Sequence, residues 1–134
     1  MKYNDIINDC AIMGCKPIID SITRQINKIS VNQAVKTDWF EQCLELCEQK
    51  KQYLLEYNLF FETFNKLQDK ERFILYNYMY RNHGCYELAK ILKISIRTFF
   101  RLLQNTCNKY RKYRSIIYAN NKISYPLKGQ TKNY

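Results

Sequence analysis

Glycine and proline are scarce in this 134-residue chain: there are three Gly and two Pro, and neither type occurs between Pro17 and Gly84. So long a run without breakers excludes a turn-rich fold. Together with recurring Leu, Ile, Glu and Lys it favours helices over strands. Long apolar runs are missing too. No stretch reaches the roughly eighteen apolar residues of a membrane-spanning helix, and the start, "MKYNDIINDC", has acids where an export signal has a basic run ahead of an apolar one. A cytoplasmic protein with no membrane partner is therefore expected. Only one histidine, His83, is present, and there is no nucleophile elbow, phosphate-cradling glycine loop or clustered carboxylate set. That leaves catalysis without a constellation, so a non-enzyme without a cofactor is predicted.

Acid is absent from one part of the chain. All 12 Asp and Glu lie at or before Glu87 with 11 Lys and Arg, a balance of −1, whereas residues 88–134 hold 11 Lys and Arg and no acid, a balance of +11. A half this one-sided repels itself and calls for a polyanion. A solvated basic tail is the bland alternative, but the acid-free stretch includes a well-patterned helix, which favours nucleic acid.

Six cysteines are present: Cys10, Cys15, Cys43, Cys47, Cys85 and Cys107. In a reducing compartment, and in a chain long enough to bury a core with 46% hydrophobic residues, they read as free thiols rather than staples. Cys43 and Cys47, one helical turn apart, could be joined by His83 and Cys85 on a metal. Tight CxxC or HxxxH pairs are lacking, however, and Cys43 falls on an apolar stripe, so no metal site is assigned.

The expected fold is all-α: N-terminal helices and one long helix, followed by a C-terminal three-helix module. A first helix near Asp5 to Met13 can stop at Gly14, and Pro17 suits the first turn of a second, with Ile18, Ile22, Gln25, Ile26 and Ile29 on one face. The segment "SVNQAVK", Ser30 to Lys36, is the expected connector. Asp38 with Glu41 offers a capping box for a long helix reaching about Asn65, about 40 Å at 1.5 Å per residue. Along it Trp39, Cys43, Leu46, Lys50, Tyr53, Tyr57, Phe60, Phe64 and Leu67 recur at alternating spacings of four and three, a seven-residue repeat whose apolar run only Lys50 breaks. A second row, Phe40, Leu44, Cys47, Leu54 and Phe61, widens the stripe. Packing within the chain is one reading of it. The other, compatible with the first, is a homodimer seam, with Trp39, Leu46, Tyr53, Tyr57, Phe60 and Phe64 as candidates.

After Leu67 the chain reads as three helices. Asp69 is the expected cap of the first, in which Phe73, Ile74, Tyr76 or Asn77, and Tyr80 present an apolar face and which is broken by Asn82, His83 and Gly84. Tyr86 to Leu92 forms the second, with Leu88, Ala89 and Leu92 inward. Ser95 caps the third, which runs to about Tyr113 and buries Phe99, Leu102, Leu103 and Thr106. Two helices joined by so tight a turn must approach closely, so the small Ala89 fits the crossing and Ile94 plugs the corner. On the third helix, Ile96, Arg97, Phe100, Arg101 and Gln104 are not needed for packing. Arg can bond guanine with both arms, Gln can read adenine, and exposed Ile or Phe can touch a thymine methyl. Lys90, Lys93, Ser95, Thr98, Lys109 and Arg111 are candidates for phosphate.

The run Leu67 to Tyr113 resembles region four of bacterial sigma factors, the domain that reads the −35 promoter element. The resemblance rests on "LQDKERFIL" in the first helix, "ELAKILKISIRT" across the turn and "NKYR" at the end. The wider layout looks like the small phage-encoded, sigma-like regulators of the ArpU type. It implies a helix-turn-helix transcription regulator whose recognition helix, about 95 to 107, lies in the major groove of double-stranded DNA, with RNA polymerase as a possible partner. Lys93 departs from the pattern, which has Gly in a left-handed turn there; a lysine costs about 1 kcal/mol. Nothing in residues 1–66 looks like the domain that melts the −10 element, so a complete sigma factor is not implied.

On this reading residues 1–66 form a packing or dimerisation region, 67–114 the DNA-binding domain and 115–134 a basic tail, flexible at least beyond Asn120, that either is plainly disordered or follows phosphates or enters a minor groove. Two alternatives stay open. One is a DNA-binding part of phage or mobile-element packaging or recombination machinery. The other is a helical interaction protein docking on a partner such as RNA polymerase.

Overall fold

The computed structural model describes residues 2–32 and 39–121. The fold is all-α, with six α-helices and no strand among the described residues. They are α1 (Asn4–Cys10), α2 (Lys16–Asn32), α3 (Trp39–Phe64), α4 (Asp69–Ile74), α5 (Cys85–Leu92) and α6 (Ile96–Asn120). A four-residue 3₁₀ turn, Ala11–Gly14, follows α1, and α4 runs on as a wider π-helical stretch, Leu75–Tyr80.

The chain divides into two compact units, one made of residues 2–12 with 59–121 and the other of Met13–Asn58. This differs from a boundary at residue 66. Helix α1 belongs with the C-terminal helices because a carboxylate on it is held there. Asp9, 3% exposed, accepts hydrogen bonds from the Tyr110 hydroxyl at 2.7 Å and from Arg114 Nε at 2.6 Å. At the rim Arg111 donates to both carboxylate oxygens of Asp5, at 2.9 and 3.0 Å, and to the Lys2 carbonyl. These bonds span more than 100 residues of sequence, beyond the reach of local periodicity.

The core of this first unit is aromatic and aliphatic. Phe60, Ile74, Leu75, Phe99, Leu103 and Tyr110 are fully buried. Phe60 stacks on Phe64 with centroids 5.4 Å apart and meets Tyr110 at 6.2 Å, so these two positions of the heptad row are core and cannot serve as a dimer seam. Tyr78 meets Phe99 edge-on at 5.9 Å. Leu59, Ile117 and Tyr118 form a further buried cluster with Tyr113 against it. Helix α6 therefore passes the expected stop near Tyr113, and residues 115–120 are structured rather than tail. The remaining tail, beyond Asn121, lies outside the described residues.

Helix α4 is capped at Gln68, not at Asp69: the Gln68 backbone N–H donates to Glu71 Oε1 at 2.9 Å. Asp69 is instead the first helical residue and bonds Arg72. The helix opens into π geometry at the end, with the Arg81 N–H reaching the Tyr76 carbonyl at 2.9 Å. It stops at Asn82, whose φ of 58° is left-handed, a conformation Asn tolerates better than most residues.

In the second unit α2 starts one residue before Pro17, which occupies the first turn, and α2 continues to Asn32 through part of the expected connector. Cys15, Ile19 and Ile22 are buried there, while Ile18 is 40% exposed, so the buried face is rotated from the expected one. Helix α3 is one continuous 26-residue element. Its Cys43, Leu46, Lys50, Tyr53 and Tyr57 are all half-buried, so the heptad row does mark the less exposed side. The Trp39 side chain and the Asp38 cap lie outside the described residues.

Candidate nucleic-acid interface

Helices α5 and α6 are joined by three residues, Lys93, Ile94 and Ser95. The end of α5 is closed by two crossing bonds: the Ile94 N–H donates to the Ala89 carbonyl at 3.0 Å and the Lys93 N–H to the Lys90 carbonyl at 3.1 Å. This is a Schellman closure, which requires a left-handed residue between helix and exit, and Lys93 adopts it at φ 60°, ψ 43°. The turn that a glycine would make cheaply is thus made by lysine, with half-buried Ile94 beneath it. Leu88 and Ala89, 1% and 4% exposed, face inward, and the small side chain at 89 permits the close crossing.

Ser95 opens α6. Its hydroxyl accepts the Thr98 backbone N–H at 3.1 Å and donates to the Thr98 hydroxyl at 2.9 Å. A cap of this kind is worth about 1 kcal/mol. With no acid in the first turn, the positive end of the helix dipole is not neutralised.

From this start α6 separates two faces. Phe99, Leu103, Thr106, Cys107 and Tyr110 are buried. Arg97, Phe100, Arg101 and Gln104 are exposed on the opposite side at helical spacing, with Phe100 46% exposed although it is a large aromatic. Ile96 is half-buried at the edge. The structure thus groups the expected base-reading residues on one outward surface, with Lys90, Lys93, Ser95 and Thr98 all exposed near the turn. Asn108 and Lys112, four and eight residues beyond Gln104, continue the same row and are exposed. Sequence reasoning passed over both, although a step of four from Gln104 reaches each in turn.

Two expected phosphate contacts are engaged elsewhere. Lys109 Nζ lies 2.8 Å from Glu71 Oε2, so one buried carboxylate caps α4 with one oxygen and binds α6 with the other. That contact raises the Lys109 pKa. Arg111 is held by Asp5, and its hydrogen bond draws the Asp5 carboxyl below its ordinary value. Arg114 is committed to Asp9 and also lies over the Tyr118 ring at 4.2 Å. Eight Lys and Arg lie between residues 88 and 121. Apart from these three, Lys90, Lys93, Arg97, Arg101 and Lys112 make no ion pair among the described residues. The unpaired cations are thus those at the turn and along the outward face of α6.

Comparison with protein-family models, with curated proteins and with solved structures finds no match.

Other chemistry is poorly served. The described residues contain no group of three or more His, Cys, Asp or Glu placed to hold a metal, and no helix among them is long and apolar enough to cross a membrane. All six cysteines are free. Burial pushes the Cys107 thiol up to about 11 and that of Cys10 higher still, so neither is a thiolate at neutral pH. Tyr86 and Ile91 on α5 are 73% and 57% exposed, large side chains that the core does not use.

Proposed function

We propose that this chain is a sequence-specific double-stranded DNA-binding transcription regulator, with α5 and α6 as a helix-turn-helix and the first half of α6 in the major groove. One observation carries the reading. Arg97, Phe100, Arg101 and Gln104 form an outward row directly behind a closed, capped turn, and the cations beside them are free of carboxylates. A helix whose only task was packing would gain nothing from an exposed Phe100 between two unpaired arginines. In the groove the same residues have partners: guanine edges for Arg, adenine for Gln and a thymine methyl for Phe. Lys90, Lys93, Thr98 and Lys112 suit phosphates on either side, and Ile96 sits at the rim of the reading surface. The resemblance to sigma region four and to ArpU-type regulators supports the same arrangement. It also supports a non-enzymatic role in the cytoplasm.

Replacing Arg101 by Ala should cost about 1 to 3 kcal/mol on the preferred site and little on random DNA. Equal losses on both would make Arg101 a phosphate contact. A second reading, docking on a protein such as RNA polymerase, draws on exposed Tyr86 and Ile91. It predicts a complex that survives loss of Arg97 and Arg101 and fails when Tyr86 and Ile91 become Ser. The site occupied on DNA separates regulation from packaging or recombination: a promoter supports the first, a packaging or attachment site the second.

A further inference from the structure

Within the unit Met13–Asn58, helix α3 carries four outward side chains at spacings of four, three and four: Leu44, Glu48, Lys51 and Leu55. At 3.6 residues per turn they fall in a strip about 60° wide. All four are exposed, Leu44 by 52% and Leu55 by 36%, and Glu48 and Lys51 make no ion pair among the described residues. Read from either end, the strip is apolar, charged, charged, apolar, with the signs exchanged. The midpoint between Glu48 and Lys51 is also the midpoint between Leu44 and Leu55.

That symmetry has a geometric meaning. A two-fold axis perpendicular to α3 through this midpoint sets Glu48 opposite the partner's Lys51, and Lys51 opposite the partner's Glu48. It also sets each Leu44 opposite the other copy's Leu55. A parallel pairing in register would instead place Glu48 on Glu48 and Lys51 on Lys51, which like-charge repulsion opposes. Beside the strip lies an open, mostly apolar groove of about 490 Å³ lined by Ile26, Cys47, Lys50, Lys51, Leu54 and Leu55. The antiparallel register brings the partner's Leu44 to its edge, at Leu55.

We infer that this strip is a self-association surface on which α3 pairs antiparallel with α3 of a second copy. The occupant is another molecule of this chain because the face is complementary to itself, as an isologous interface must be. It is a different face from the heptad row, whose Phe60 and Phe64 are core. The inference does not rest on DNA binding.

The test is sedimentation of the full chain over a concentration series without DNA. The wild type should show a reversible monomer–dimer equilibrium. Glu48→Lys and Lys51→Glu should each raise the dissociation constant at least about tenfold, since every contact occurs twice in the dimer. The double exchange, Glu48→Lys with Lys51→Glu, preserves the pattern with signs swapped and should restore it to within about threefold. Both sites are exposed, so helical content by circular dichroism should be unchanged throughout. A chain that stays monomeric, a dimer indifferent to the single reversals, or a double exchange that fails to restore association would each overturn the inference.

Discussion

Replacing Tyr110 by Phe removes one hydroxyl from the bond that ties α1 to α6 and leaves the ring packed on Phe60. The Tyr110 hydroxyl donates at 2.7 Å to Asp9, a carboxylate only 3% exposed. A hydrogen bond to a charged group contributes about 1.5 to 3 kcal/mol, and the deletion leaves Asp9 with Arg114 as its remaining side-chain donor. About 2 kcal/mol is therefore expected near neutral pH. Denaturant titration followed by circular dichroism reads it as a lower midpoint at unchanged slope. The pH dependence makes the expectation specific. Burial raises the Asp9 pKa, against the opposing effects of Arg114 and Tyr110. A carboxyl whose folded pKa lies above its unfolded value loses stability as pH rises from the unfolded to the folded pKa, and the loss is complete above that window. Removing the Tyr110 hydroxyl, which favours the ionised form, raises the folded pKa further and lengthens the window. The penalty of Tyr110→Phe should therefore be largest where Asp9 is ionised and should shrink as pH falls through its raised folded pKa, below which the carboxyl is protonated in both proteins. A penalty below about 0.5 kcal/mol, or one that is constant with pH, would refute the reasoning.

Lys93→Gly should stabilise the fold by about 0.5 to 1 kcal/mol, because glycine takes the left-handed conformation without a Cβ penalty; on the proposed function it should also weaken DNA binding by removing the proposed phosphate contact. Thermal denaturation and binding titrations on the same variant would show the opposed effects. Thr106 is fully buried and its hydroxyl has no hydrogen-bond partner among the described residues, so Thr106→Val should be neutral or stabilising by up to about 1 kcal/mol in denaturant titration. Lys90→Ala should flatten the slope of log binding constant against log salt by about one unit. Lys109→Ala should leave that slope unchanged, because Lys109 is held on Glu71.

Local signals in the sequence were legible, and long-range ones were not. The Ser95 cap, the inward Leu88, Ala89, Phe99, Leu103 and Thr106, and the outward Arg97, Phe100, Arg101 and Gln104 all follow from helical periodicity beside a short turn. Periodicity could not reveal that Lys109 and Arg111 are spoken for, because Glu71 and Asp5 lie far away in sequence. For the same reason α1 read as part of an N-terminal region, whereas Asp9 fastens it to Tyr110 and Arg114. The seven-residue repeat on α3 located the less exposed side, but repeat alone does not distinguish a core from a seam, and Phe60 and Phe64 proved to be core. At the start of α4, Asp69 carries the cap signature, yet Glu71 reaches back to Gln68 and moves the cap by one residue.

Whether the outward face of α6 reads base sequence is tested most directly by selection from a random duplex-DNA pool at physiological salt, comparing the intact protein with the Arg97→Ala/Arg101→Ala double variant. The expected result is an enriched motif with the wild type that disappears with the variant, while weak, salt-sensitive binding to unselected DNA remains through Lys90, Lys93 and Lys112. No enrichment with the wild type, or the same motif recovered with both proteins, would contradict base reading by this helix.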